Sequence, residues 1–211
     1  MADDAAEQRL QALLTRRSVS PKRLREPAPD SAMLDLMLQA ALRAPDHGDL
    51  KPWRVIEFPR ETRPQLARLF EDEKRRRDPL VGPADLRRAA DHALHAPMML
   101  GFVVAPRLRA GVPQIEQWLA AGAALGNLLN AAHELGYGAI MLSGERCHDR
   151  MLLSELGLAN DEWLAGFVTI GTIAQAPPEA RTRLSQQFWR CWSPRVAPTL
   201  RPSPQGSRST P

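Results

Sequence analysis

Residues 40–53 read AALRAPDHGDLKPW. An apolar, helix-compatible run ends at Ala44. Pro45, Asp46, His47, Gly48, Asp49, Lys51 and Pro52 then crowd breakers and polar groups together before Trp53. Such a stretch cannot continue a helix, and a polar loop between two regular elements is where a chain commonly builds a binding site. Its flanks set the fold class. Upstream, Asp30 or Ser31 can cap a helix through Met33, Leu34, Leu36, Met37, Leu38, Ala41 and Leu42, apolar around much of its circumference and therefore well buried. Downstream, residues 53–58 (WRVIEF) alternate and are rich in strand formers.

Working outward, Leu10, Leu13 and Leu14 space an amphipathic helix over residues 4–16. It ends in Arg16-Arg17-Ser18, where cations complement the helix dipole or project outward as donors. Helices are expected over 60–77 and 84–95. His92 and His95 share a face of the second, but no third or fourth metal ligand accompanies them. Residues 98–104 (MMLGFVV) form a continuous apolar run, the mark of a strand buried on both faces. A long helix over 113–135 is rich in Ala and Gly, which suits a core helix or a subunit interface. Strands over 139–144 and 163–170 enclose a short helix over 149–156, with Gly171-Thr172 ending the last strand. Helices and strands therefore alternate around one sheet, an α+β arrangement with a mixed sheet. Residues 1–175 are expected as the domain and 176–211 as a C-terminal arm with a Pro-, Ser- and Arg-rich tail.

At 211 residues the chain is long enough for one full core. It is 44% hydrophobic and 25% charged, as soluble globular proteins are. The net charge of +4 is modest; the densest basic run, Lys74–Arg77, follows Glu71 and Asp72 and reads as a solvated helix face, so no nucleic-acid partner is expected. Two cysteines make no disulfide framework. The acidic start MADDAAEQRL is no signal peptide, and no apolar run is long enough to span a bilayer. A cytoplasmic protein with no membrane partner is expected.

Dinucleotide-fold, P-loop and nucleophile-elbow glycine patterns are absent. Three corners carry donors instead: Arg16, Arg17 and Ser18; His47 and Lys51; and Met141-Leu142-Ser143-Gly144 at the end of a buried strand. Donors without an evident nucleophile point to a bound cofactor.

The motifs Leu13-Leu14-Thr15-Arg16-Arg17-Ser18, Arg43-Ala44-Pro45-Asp46-His47 with Lys51-Pro52-Trp53, Gly136-Tyr137-Gly138-Ala139-Ile140 with Ser143-Gly144, and Gly166-Phe167 with Ile170-Gly171-Thr172 occur in this order. The chain thereby resembles the nitroreductase family of FMN flavoproteins, in particular its compact YdjA-like branch of NAD(P)H nitroreductases. The resemblance spans roughly residues 10–173 and implies a nitroreductase-like α+β fold forming an intertwined homodimer with FMN at the interface. It implies that Arg16, Arg17 and Ser18 hold the flavin's phosphate and ring edge, that Met141, Leu142 and Ser143 line it, and that His47 and Lys51 reach the FMN bound mainly to the other subunit. Ala131–Gly136 would lie near where NADH or NADPH is received. A nitroaromatic, quinone or similar small molecule would be the electron acceptor. Lys51 stands where relatives often carry Gln, and Leu142 where they often carry Arg; Arg146 is the candidate replacement cation. Arg181 or Arg183 is the candidate for a further phosphate contact. The competing readings are a flavin protein of this fold with another redox role, and a basic interaction module without enzymatic activity.

Overall fold

A computed structural model describes residues 2–179 and 185–192. Arg181, Arg183 and the tail from residue 194 lie outside the described residues. Two compact units are separated at Pro178 and Glu179; the described residues of the second include a 3-10 turn, Ser185–Gln187.

The first unit runs α1 (Ala2–Thr15), β1 (Leu24–Arg25), α2 (Ser31–Ala41), β2 (Trp53–Glu57), α3 (Arg63–Arg77), α4 (Pro83–Leu94), β3 (Met98–Val104), α5 (Gln114–Glu134), β4 (Tyr137–Leu142), α6 (Arg150–Glu155) and β5 (Trp163–Ile173). Two helix starts follow directly from capping chemistry. Asp30 Oδ1 accepts from the Met33 N–H at 2.8 Å, and Asp149 Oδ1 accepts from the Leu152 N–H at 2.7 Å.

The sheet is organised on β5. Ile170 faces Met98 of β3 and Ala139 of β4, so those strands occupy opposite edges of β5. Thr172 faces Arg25 and Tyr137, so β1 lies on the β3 side, beyond the start of β3. β2 pairs with the far edge of β3. All of these ladders are antiparallel, which corrects the mixed sheet expected from sequence. The order β3–α5–β4 reads as a parallel crossover unit, and those two strands do run parallel; β5 inserts between them and pairs antiparallel to both. Among the described residues the one parallel pairing is an isolated bridge, Ser18 to Ala139. β5 also continues past Gly171-Thr172 to Ile173, because β1 and β4 pair with that extension.

Period-two alternation then builds two cores. Met99, Val103 and Phe167 meet Leu66 and Phe70 of α3, Ala89 and Ala93 of α4, and Leu152 and Leu153 of α6. Met98, Leu100, Phe102, Val104, Val168 and Ile170 meet Met37 and Ala41 of α2 and Ala121, Ala124, Leu128 and Ala132 of α5. All seven residues of β3 are buried, as a strand covered on both faces requires.

A charged cluster ties α3 to the segment just after β4. Glu73 is 1% exposed. Its Oε1 accepts from Arg77 Nε at 2.7 Å, and Arg146 Nε lies 4.0 Å from its Oε2. Arg77 also pairs with Glu145, and Arg76 Nη2 with Asp149 Oδ1 at 2.8 Å. The Arg146 guanidinium sits 4.2 Å from the centre of the Phe70 ring and donates from Nη1 to His92 Nδ1 at 3.1 Å. The basic run is thus only partly a solvated face: Arg75 pairs along its own helix with Glu71 and Asp72, while Arg76 and Arg77 clamp residues 145–149. Burial, and then the neighbouring Arg146 charge, lower His92 from 6.5 to about 4.

Two stability predictions follow from this packing. A Cβ at Gly138 would meet Leu24 Cδ2 at 2.7 Å and Ile173 Cγ1 at 2.9 Å, so Gly138→Ala should cost about 1–3 kcal/mol in urea unfolding. For His92, the unfolded chain takes up a proton below 6.5 that the folded chain refuses until about 4. Stability therefore falls as pH drops through that window, by at most about 1.4 kcal/mol per pH unit. His92→Phe should flatten this part of the profile, measured by urea unfolding at a series of pH values; an unchanged slope would refute the assignment.

Candidate functional site

The first corner is built where α1 ends. Thr15 Oγ1 donates to Gln11 O at 2.6 Å and lies 3.2 Å from His133 Nε2, which pins the end of α1 to the last turn of α5. The chain then runs extended along the outer edge of β4, with Val19 N–H donating to Ala139 O at 3.0 Å. This brings Arg16, Arg17 and Ser18 to the sheet edge that ends in Met141, Leu142 and Ser143. Arg16 and Arg17 are half-buried, and among the described residues neither is ion-paired with a carboxylate.

Ala139 turns its peptide groups outward to Val19, so Met141, two residues on, does the same. No backbone group among the described residues pairs with those of Met141. The edge is therefore open for hydrogen bonding at Met141. The same alternation separates the side chains: Met141 packs toward α5, whereas Leu142 faces α4 and lines a cavity there. A ligand at this edge meets shared backbone, not a row of three side chains.

That cavity, of about 530 Å³, is lined by Ser20, Lys22, Arg88, His92, His95 and Leu142, among others. The helical spacing of His92 and His95 correctly signals a common wall, and no group of three metal-binding side chains occurs among the described residues. Lys22 and Arg88 were not foreseen as cavity residues, since their proximity arises only from folding. Arg146 does not take the place of a cation at position 142: its guanidinium is turned onto Phe70, His92 and Glu73, because that cluster offers a ring face and a carboxylate inside the core.

The opening loop lies elsewhere. Asp46 braces it, its Oδ2 accepting from the Lys51 N–H at 2.7 Å. Asp49 and Lys51 adopt positive φ, 53° and 49°, a strained conformation for residues with side chains. The Lys51 ammonium is turned back onto Asp49 and lies 3.9 Å from Asp46. His47 Nδ1 lies 2.6 Å from Glu116 Oε2, in the first turn of α5; nothing in the sequence links these residues, 69 positions apart. The loop leads into β2, one edge of the sheet, and Arg16–Ser18 flank β4, the other edge. Three inter-strand spacings, about 14 Å, separate those edges. One chain does not bring His47 or Lys51 to Arg16–Ser18.

Apolar surface remains. Ile115 and Leu119 are 65% and 67% exposed, and Gly122 and Gly126 continue the same helical stripe with open space around them. Leu13, Leu36, Ala40, Asn127, Ala131 and Leu135 border a groove of about 500 Å³ between α1, α2 and α5.

The family model described as "Nitroreductase family" matches residues 13–172. A Haemophilus influenzae protein named "Putative NAD(P)H nitroreductase" is 34% identical over 179 residues, covering 83% of this chain and 95% of the relative. The Escherichia coli protein YdjA, named likewise, is 30% identical over 166 residues, covering 77% and 87%. Among solved structures, a nitroreductase-like protein from Bacillus cereus superposes with a TM-score of 0.73 at 21% identity, over 87% of this chain and 95% of that one. A Desulfovibrio desulfuricans structure, titled as a nitroreductase in complex with FMN, gives 0.66 at 24% identity, over 88% and 97%. The order of motifs, the antiparallel sheet between two helical layers and these matches agree, and the chain belongs to the nitroreductase family.

Proposed function

We propose that the chain is an FMN-dependent oxidoreductase that moves a hydride from NADH or NADPH to a nitroaromatic, quinone or similar small acceptor, and that it works as a homodimer in the cytoplasm. The observation that carries this reading is the open edge of β4 with Arg16, Arg17 and Ser18 running beside it.

The residues fit such a cofactor. Guanidinium groups without a carboxylate partner suit a phosphate, which they can grip bidentately. The free peptide N–H and C=O of Met141 suit the alternating acceptors and donors along a flavin ring edge. Lys22 and Arg88 bring cations to the adjoining cavity, beside Asp91, with Arg88 also paired to Asp85. FMN, when bound, supplies the two-electron chemistry. The protein's own groups position it and shape its field. Cys147 is no substitute nucleophile: it is buried, and burial raises its thiol pKa.

Two features support the dimer. His47 and Arg16–Ser18 stand on opposite sheet edges, so they share a site only if two copies contribute. The stripe Ile115, Leu119, Gly122 and Gly126 offers an apolar face, with glycines that permit close helix approach. Arg16–Ser18 and the β4 edge then come from one copy, and His47, with Lys51 if it leaves its acids, from its partner. The groove at Ala131–Leu135 is the candidate approach for the nicotinamide. For a cytoplasmic site the support is that both cysteines are free and that no described helix is long and apolar enough to cross a membrane.

Purified protein should be yellow, or become so with added FMN, and NADH or NADPH should bleach it anaerobically. Protein that takes up no FMN would overturn the proposal; flavin that binds but resists both nicotinamides would favour another redox role. Arg16→Ala should weaken FMN binding about 10- to 100-fold, the worth of one charge-assisted contact, whereas Arg87→Ala, on an exposed turn of α4, should leave it unchanged. Leu119→Lys should leave the fold intact but yield monomer by sedimentation, with loss of FMN; a stable dimer would exclude this face.

A further inference from the structure

His47 carries two ring nitrogens, and the structure commits one of them. Nδ1 sits 2.6 Å from Glu116 Oε2. An ionised carboxylate can only accept, so Nδ1 carries the hydrogen and donates it, and Nε2 of the neutral ring is left as an acceptor, not the donor expected of His47 from sequence. A contact this short is of the charge-assisted kind. The two partners differ in rigidity. Glu116 belongs to the first turn of α5, a helix of 21 residues, where an acid is favoured by the helix dipole. His47 stands on a loop with positive φ at Gly48, Asp49 and Lys51. That loop is braced from inside by Asp46, and a Cβ at Gly48 would lie 3.4 Å from Val112 Cγ2, just ahead of α5. The loop therefore rests on the start of α5, and the imidazole is anchored to the helix at one end.

We propose that Glu116 is a positioning residue: by holding His47 Nδ1 it fixes the tautomer and ring orientation and presents Nε2 to the cofactor bound on a second copy of the chain. This rests on the flavin reading above, and it adds to it a residue outside the loop. Carboxylate fixation of a ring nitrogen is the general way a protein decides which face of a histidine it offers to a ligand. The side chains of His47 and Glu116 are 60% and 42% exposed in the single chain, so the ring can be met by a ligand carried on a partner.

The test combines a spectroscopic and a binding measurement on the full chain. Nitrogen-15 spectra of the His47 ring should show Nδ1 protonated in the wild type, and Glu116→Ala should shift the ring toward the Nε2–H tautomer. An unchanged ring spectrum would overturn the proposal whether or not FMN binds. In FMN titrations, His47→Ala and Glu116→Ala should each weaken binding about three- to tenfold. Glu116→Ala should add nothing on the His47→Ala background, because its effect runs through the ring. Glu116→Gln, which keeps an acceptor, should stay within about twofold of wild type. A full Glu116→Ala effect without His47, or an Ala-like Gln variant, would mean that Glu116 merely supports the helix, and the proposal would fail. An unaltered affinity in His47→Ala would also defeat it, whereas absence of any FMN binding in the wild type would defeat the flavin reading itself.

Discussion

The structure depends on β5 being paired on both edges and covered on both faces. β3 and β1 occupy one edge and β4 the other. Phe167 faces one helical layer while Val168 and Ile170 face the other. A strand in that position has no freedom to slip, since a one-residue shift would exchange the two cores. The bulge between Phe102 and Val103, opposite residues 164–166, absorbs the one irregularity and keeps Leu164 on the Phe167 side. Everything proposed about function is referred to this strand, because it holds the open edge of β4 at one side of the sheet and, through β3, the β2 loop at the other.

Elements with strong local patterns were legible before folding. Residues 98–104 read as a doubly covered strand and are one, and the helices over 31–41 and 114–134 lie within a residue or so of their expected ends. Misreadings arose where the deciding partner was distant. Leu24 and Arg25 form a strand because Ile173 and Thr172 are there to pair with them; two residues carry no pattern. Gly171 looks like a strand end, but it lies inside β5, where Pro97 is so close that a Cβ would stand 2.6 Å from its Cγ. The mixed sheet was inferred from the alternation of strands and helices, which cannot reveal that β5 inserts between β3 and β4.

The site divides in the same way. Arg16–Ser18 and Met141–Ser143 were legible as corners, and the Ser18–Ala139 bridge sets the first along the edge of the strand that leads to the second. His47 was legible as a polar residue in a breaker-rich loop, but its partner Glu116 was not, because a glutamate in the first turn of a helix is also what helix electrostatics favours. The residue type was informative; the contact is a product of tertiary structure. The strained φ values at Asp49 and Lys51 belong with this pair. Strain of about 1–3 kcal/mol per residue persists only where the surroundings overdetermine the conformation, and here Asp46 within the loop and α5 beneath it supply the restraint.

The arginines decide how the positive charge of the chain should be understood. Arg54 is held by Glu162 at 2.7 Å. Arg63 is buried and donates to the carbonyls of Phe58, Ala96 and Pro97. Arg76, Arg77 and Arg146 are committed to the cluster around Glu73 and Asp149. These guanidiniums serve the fold: a ligand could recruit them only by taking them from carbonyls or carboxylates they now satisfy, and for buried Glu73 that loss typically costs several kcal/mol. Arg16 and Arg17 carry no such obligation among the described residues, and they lead into Ser18, which bridges Ala139 on the open edge of β4. Composition alone ranks all of these arginines equally. Their partners separate the cations that hold the molecule together from those, Arg16 and Arg17 among them, that carry no such obligation.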